Sequence, residues 1–285
     1  MNIQWFPGHM AKTRKQISED LKQVDIIFEL IDARIPISSR NPEIDKIAVG
    51  KPKIIVMNKT DMADESENAK WVSYFQKNNM TVVTVSCNNG KGITELLAKT
   101  DELLKEKYEK NTQRNIVKNK ARIMIVGIPN VGKSTLINKL CKRAGTKTAD
   151  KPGVTRQKQW VTMSNGMLLL DTPGILWPKF ENPDTGIKLA FTGAIKDEII
   201  DIEELSVKLL EFFKEHYTDE FMSRYKLKDV DKQSFEILED IGRNRGCVIK
   251  GGEIDYTRTA NIIFDDLRSL AIGRITFEFP EDLNV

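Results

Sequence analysis

The stretch RIMIVGIPNVGKSTLINKL at 122–140 decides the fold. Its first part is an apolar, β-branched run of strand length, its last part carries helical spacing, and GIPNVGKS at 127–134 fits the phosphate-loop pattern between them. Gly127 and Gly132 permit a tight loop whose backbone N–H groups turn toward an anion at the start of a helix. Lys133 then reaches the β- and γ-phosphate oxygens, and Ser134 offers its hydroxyl to Mg²⁺. Asn130, Val131, Gly132, Lys133, Ser134 and Thr135 are therefore expected to line a nucleotide. A chance match to this pattern in such a chain is of order 1 in 100, and the flanking strand and helix make it rarer.

Upstream, NKTD at 58–61 closes another apolar run, KIIVM. The carboxylate of Asp61 suits the ring N1–H and exocyclic amine of guanine, a donor pair that adenine lacks. Asn58 supports the loop, and the stem of Lys59 can cover the base. Together with the phosphate loop the coincidence falls below roughly 1 in 1,000. SCNNGKG at 86–92 follows a third strand-like run, where Ser86 and Cys87 are expected to present backbone N–H groups to the guanine carbonyl. Downstream, DTPG at 171–174 follows MLLL; Asp171 is placed to hold Mg²⁺ through water and the Gly174 N–H to meet the γ-phosphate. PGVTR at 152–156 supplies Thr155 as the switch threonine that completes the Mg²⁺ shell, with Thr148 as the alternative.

The remaining pattern frames these loops. Strand-like runs at 24–31, 53–58, 81–86, 122–127, 159–164 and 167–171 alternate for the most part with helical stretches, as in a mainly parallel α/β sheet. Asn165-Gly166 joins the last two runs as a hairpin signal, so one antiparallel edge is expected. Beyond about residue 178 helical spacing alone continues, at 185–196, 203–217, 234–245 and 257–273. The chain thus divides into an α/β nucleotide domain over 1–178 and an all-α domain over 179–285, with Pro178, Pro183 and Asp184 at the hinge.

At 285 residues the chain is long enough for a sizeable core. Three cysteines, Cys87, Cys141 and Cys247, stand far apart with two histidines in the chain, so neither a zinc knuckle nor a disulfide framework is expected. No apolar run approaches the roughly 18 residues of a membrane span, and a cytoplasmic location is expected. The net charge of +3 is mild, but 105–122 holds seven Lys or Arg against two Glu, either as solvated surface or as a contact to a phosphate backbone.

The order NKTD, SCN, GIPNVGKS, PGVTR, DTPG resembles that of the circularly permuted GTPases, and WFPGHMAKTRK at 5–15 with DTPGILWPKF at 171–180 resembles their bacterial YlqF branch. The resemblance covers essentially the whole chain. It implies a P-loop GTPase fold with permuted motif order, GTP and GDP as ligands, Mg²⁺ as cofactor, and a partner in the large ribosomal subunit, both rRNA and ribosomal proteins. It also implies that the helical domain is similar to RNA-binding modules; Arg243, Arg245, Lys250, Arg258 and Arg268, clustered on its last two helices, are either a solvated face or the contact to RNA. A monomer off the ribosome is expected. Asn130 matches the asparagine that K⁺-stimulated GTPases use as an ion ligand; the alternative is a loop residue making backbone hydrogen bonds. Ile175 stands where many GTPases carry a water-orienting glutamine, so His9 is a candidate to hold that water, the alternatives being RNA contact or capping. Trp5 and Phe6 either stack on bases or pin the terminus. A GTP-binding RNA scaffold with little turnover is the competing reading, and an ATP-dependent phosphoryl transferase is disfavoured by Asp61.

Overall fold

The computed structural model describes residues 18–113, 121–141, 159–172 and 182–284. They form two units: one holds the residues up to 181 together with 276 onward, and the other runs from Asn182 to Ile275.

The first unit is built on six strands, β1 (Ile26–Asp32), β2 (Lys53–Asn58), β3 (Thr81–Thr84), β4 (Arg122–Gly127), β5 (Gln159–Thr162) and β6 (Leu168–Asp171). They lie in the order β3-β2-β1-β4-β6-β5, parallel except for β5 against β6. β1 is buried at every position, which is why its run reads as continuously apolar and not alternating. Its one charged interior residue, Glu29, is 1% exposed and paired with Arg40 at 3.2 Å and Lys53 at 2.8 Å. The antiparallel β5–β6 hairpin turns at Asn165-Gly166, with Gly166 at φ +85° as the sequence signal requires.

Helices α1 (Pro42–Ile47), α2 (Glu65–Lys77), α3 (Ile93–Gln113) and α4 (Lys133–Cys141) connect the strands. Asp64 caps α2, accepting from the N–H groups of Ser66 and Glu67 at 2.7 and 3.3 Å, so this helix starts two residues earlier than its apolar spacing indicates. Trp71 and Phe75, one turn apart on α2, are both fully buried against Ile31, Ile55 and Met57 of the sheet. At the start of α3 the backbone passes so close to β3 that a Cβ on Gly92, at φ +82°, would fall 2.0 Å from the Thr84 carbonyl oxygen.

The second unit holds α5 (Pro183–Phe191), α6 (Ile202–His216), α7 (Thr218–Tyr225), α8 (Ser234–Asn244) and α9 (Tyr256–Arg268). Asn182 caps α5 with Pro183 at its first turn, so the Pro that marks the expected hinge serves to open a helix. Leu205, Leu209 and Phe213 of α6, Ile237 and Ile241 of α8 and Ile263 and Phe264 of α9 repeat at helical spacing and are buried. α7 carries no long apolar run and is absent from the sequence reading; Phe221 and Tyr225 alone bury its inner face.

The division differs from the sequence reading at its end. Residues 276–284 belong with the α/β unit and not with the helical one. The Trp71 indole N–H donates to the Glu278 carbonyl at 2.9 Å, and the Glu278 carboxylate accepts from the backbone N–H groups of Ile37 and Ser38 at 2.7 and 3.1 Å. Phe277, 2% exposed, adds its side chain to the core. Linear position could not reveal a short return of this kind, because its partners lie more than two hundred residues upstream.

Phe75→Ala should cost about 3–5 kcal/mol by leaving a cavity between α2 and the sheet. Urea denaturation followed by Trp fluorescence measures the loss.

Candidate nucleotide site

All the motif loops described leave the sheet at one edge, because β1, β2, β3, β4 and β6 are parallel and each loop follows a strand. The separation of NKTD from GIPNVGKS along the chain is thereby removed: β2 and β4 are both neighbours of β1. Open α/β sheets bind ligands at the carboxyl ends of strands, in particular where the strand order reverses, and the reversal here lies beside β1.

Asn58 ties three segments together. It is 2% exposed; its amide nitrogen donates to the Val131 carbonyl of the phosphate loop at 2.7 Å, and its amide oxygen accepts from the Cys87 N–H at 3.1 Å. Gly132 is required beneath it, since a Cβ there would stand 2.4 Å from the Asn58 amide nitrogen and the backbone is at φ +101°. Asn130 also adopts a positive φ of +56°, which asparagine tolerates. Lys133, 7% exposed at the start of α4, donates to the Gly127 and Ile128 carbonyls at 3.1 and 2.9 Å, so the ammonium lies along the loop that it is expected to serve. Ser134 and Thr135 follow in the same first turn, both half-buried. β6 ends beside the loop, with Asp171 in register with Ile125 and the Thr172 hydroxyl donating to the Ile125 carbonyl at 2.6 Å.

The base-reading loop has support that the motif alone does not disclose. Asp32, 2% exposed at the end of β1, accepts from Arg34 Nε at 3.0 Å and Nη2 at 2.8 Å and pairs with Lys59 Nζ at 2.9 Å. Burial alone would raise the Asp32 pKa, but the Arg34 and Lys59 charges outweigh it and hold the carboxyl well below its ordinary range. Lys59, at φ +63°, is thus fixed at its head by Asp32. The DAR triplet at 32–34 was the available signal, a carboxylate and a cation closing a strand next to that of NKTD. The Asp61 Oδ1 atom is buried without a hydrogen-bond partner, as is the Ser86 hydroxyl. An unpaired buried carboxylate oxygen is costly unless a donor is supplied, and guanine supplies two.

The Ser86 and Cys87 backbone N–H groups, expected to face the guanine carbonyl, have partners within the protein. The Ser86 N–H donates to Lys91 O at 3.0 Å and that of Cys87 to Asn58, because the loop closes as a tight turn with Gly90 N–H on Ser86 O. The Cys87 thiol is pushed up to about 12 by burial and by Asp61 nearby, so it stays protonated.

Trp5, Phe6, His9, Thr148, Thr155, Gly174 and Ile175 lie outside the described residues, as does the side chain of Asp171. In the helical unit, Arg268 is engaged by Asp197 at 2.6 Å and by the Ala190 carbonyl at 3.0 Å, and Arg245 pairs with Asp266 at 3.0 Å. Arg243 pairs with Glu239 at 3.3 Å, while Lys250 and Arg258 are exposed. The five basic residues therefore do not act as one set: Arg245 and Arg268 hold the unit together.

Asp32→Asn should destabilise the protein at pH 7 by about 3–5 kcal/mol, because Arg34 and Lys59 are left buried without their carboxylate. The folded-state pKa of Asp32 is depressed, so its contribution is present above the ordinary value of 3.8 and is lost as pH falls through the folded one. The difference between the two proteins should accordingly narrow below about pH 4, which denaturant titrations at several pH values would record.

Comparison with known proteins agrees with this geometry. Residues 122–249 match a family model described as 50S ribosome-binding GTPase, and residues 46–181 match that of the RsgA GTPase. Ribosome biogenesis GTPase A of Bacillus cereus is 47% identical over 282 residues, covering 99% of this chain and 95% of that one. The GDP-bound structure of Thermotoga maritima YlqF aligns with a TM-score of 0.68 at 32% identity, over 94% of this chain and 100% of that one. The same protein bound to GNP aligns with a TM-score of 0.65 at 31% identity, over 95% and 99% of the two chains. With its motif loops gathered at one sheet edge in permuted order, the chain belongs to the ribosome biogenesis GTPase A family.

Proposed function

We propose that the protein is a GTP-hydrolysing assembly factor that binds the maturing large ribosomal subunit in its GTP form and leaves on hydrolysis. The observation that carries the nucleotide part is the Asn58 bridge beside the unpaired Asp61 carboxylate oxygen, which puts a guanine-specific acceptor next to a phosphate loop. Family membership supports turnover over the scaffold reading, in which GTP would be a structural ligand alone.

In this reading Asp61 takes the guanine N1–H and amine, Ser86 offers its hydroxyl to the carbonyl, and the Lys59 stem covers the base. Lys133 exchanges its loop carbonyls for the β- and γ-phosphates, a low-cost exchange because both partners are oxygens at the same loop. A hydroxyl at Ser134, with Thr155 and Asp171, forms the hard-oxygen donor set that suits Mg²⁺, whose charge neutralises the phosphates when bound. Asn130 is assigned to a K⁺ ion, Gly174 to the γ-phosphate, and His9 to the attacking water in place of the missing glutamine at Ile175. Exposed Arg243, Lys250 and Arg258 are the basic residues left to meet rRNA. Among the described residues no helix is long and apolar enough to cross a membrane, and the proposed site of action is the cytoplasm, as a monomer off the ribosome.

GTP turnover measured with and without large-subunit particles tests the central reading; a rate that particles leave unchanged would favour the scaffold. Asp61→Asn should weaken GTP binding by about 2–3 kcal/mol and improve binding of xanthine nucleotides. Unchanged GTP affinity would mean that the base is read elsewhere. Hydrolysis should be faster in KCl than in NaCl at equal ionic strength, with the difference removed by Asn130→Ala; equal rates in both salts for the unaltered protein would eliminate the ion.

A further inference from the structure

The geometry points to the C-terminal segment 276–281 as a positioning element of the base-reading loop, so that the chain leaving the helical unit governs how firmly guanine is held. This inference rests on the nucleotide reading above. The segment contacts the chain just past the NKTD loop and the turn that follows β1. At the first the Thr276 hydroxyl, fully buried, accepts from the Asp64 N–H at 3.0 Å, three residues beyond Asp61, at the point where the loop becomes α2. At the second the Phe277 N–H donates to the Arg34 carbonyl at 2.8 Å, and the Glu278 carboxylate gathers the N–H groups of Ile37 and Ser38 and the Ser38 hydroxyl.

The turn so held follows Asp32, the residue that pairs with Lys59. Asp32 accepts the Arg34 guanidinium, its N–H donates to the Ser39 hydroxyl at 3.0 Å, and its carboxylate holds the Lys59 ammonium at 2.9 Å. A path of buried polar contacts therefore runs from Glu278 through the 34–39 turn to Asp32 and Lys59, while a separate contact runs from Thr276 to the exit of the loop that bears Asp61. Trp71 locks the segment by donating to the Glu278 carbonyl, and Lys70 pairs with Glu281 at 3.1 Å.

A carboxylate sunk among backbone N–H groups at 6% exposure is an expensive way to anchor a chain end unless the anchored turn has to be rigid. The rigid turn serves Lys59. By linkage, whatever the segment adds to guanine binding, guanine binding adds to the docking of the segment. The segment begins at the residue after Ile275, the last of the helical unit, and so is joined covalently to that unit and by hydrogen bonds to the surroundings of the base loop.

The test uses Thr276→Val and Glu278→Gln in the full chain, both close to isosteric. Each should release GDP faster by roughly tenfold, the equivalent of losing about one buried hydrogen bond. Affinity for inorganic triphosphate, which engages the phosphate loop without a base, should stay within about twofold. Amide hydrogen exchange of 276–281 in the unaltered protein should slow when GDP is added. Unchanged GDP release in both variants overturns the inference, and so does an equal loss of GDP and triphosphate, which would mark a merely structural role. If the unaltered chain binds triphosphate but not GDP, the guanine reading fails and this inference with it.

Discussion

The side-chain amide of Asn58 is the contact on which the site depends. A carboxamide donates from one atom and accepts at another in a fixed plane, so a single residue at the end of β2 can hold the Val131 carbonyl on one side and the Cys87 N–H on the other. The glycine at 132 and the positive φ at Asn130 follow from this contact, since the phosphate loop has to pass close over the amide. The same contact compensates for permutation: loops that are distant in the chain are joined through space by one buried side chain.

A second constraint is the charge at the end of β1. Asp32 is surrounded by Arg34 and Lys59 and could not remain ionised in the interior without them. A buried triad of this kind contributes geometry more than net stability, because desolvation offsets much of the attraction. Its effect is to hold the head of Lys59 in one place and leave the stem free to lie flat. The segment 276–281, which braces the Arg34 turn, belongs to the same arrangement. In the helical unit the charges have another use: Arg224 and Arg245 share Asp266, and Arg268 spans Asp197 and the end of α5.

The residues proposed to face the nucleotide were named from the sequence because their chemistry restricts their type. Only Gly fits over Asn58 at position 132, and only a carboxylate such as Asp61 matches guanine. The same holds for the strands of the central sheet, whose buried runs have few polar positions to confuse them. The helices α1 and α7 were missed since one is a single short turn after Pro42 and the other buries just two large side chains. The partners of the Ser86 and Cys87 N–H groups were not legible, since one is the turn's own Lys91 carbonyl and the other the distant Asn58 side chain.

By itself the sequence determined the parallel α/β class, the hairpin at Asn165-Gly166, the permuted order of the nucleotide motifs and the helical character beyond residue 182. These follow from local spacing and from side-chain chemistry, which are properties of neighbouring residues. Tertiary structure alone decided that Asn58 bridges two loops, that Asp32 fixes Lys59, that Arg245 and Arg268 serve the interior, and that residues 276–284 return to the sheet unit. Each of those depends on which distant groups are brought within about 3 Å of one another, and a hydrogen bond that short carries no trace in the linear order of the chain.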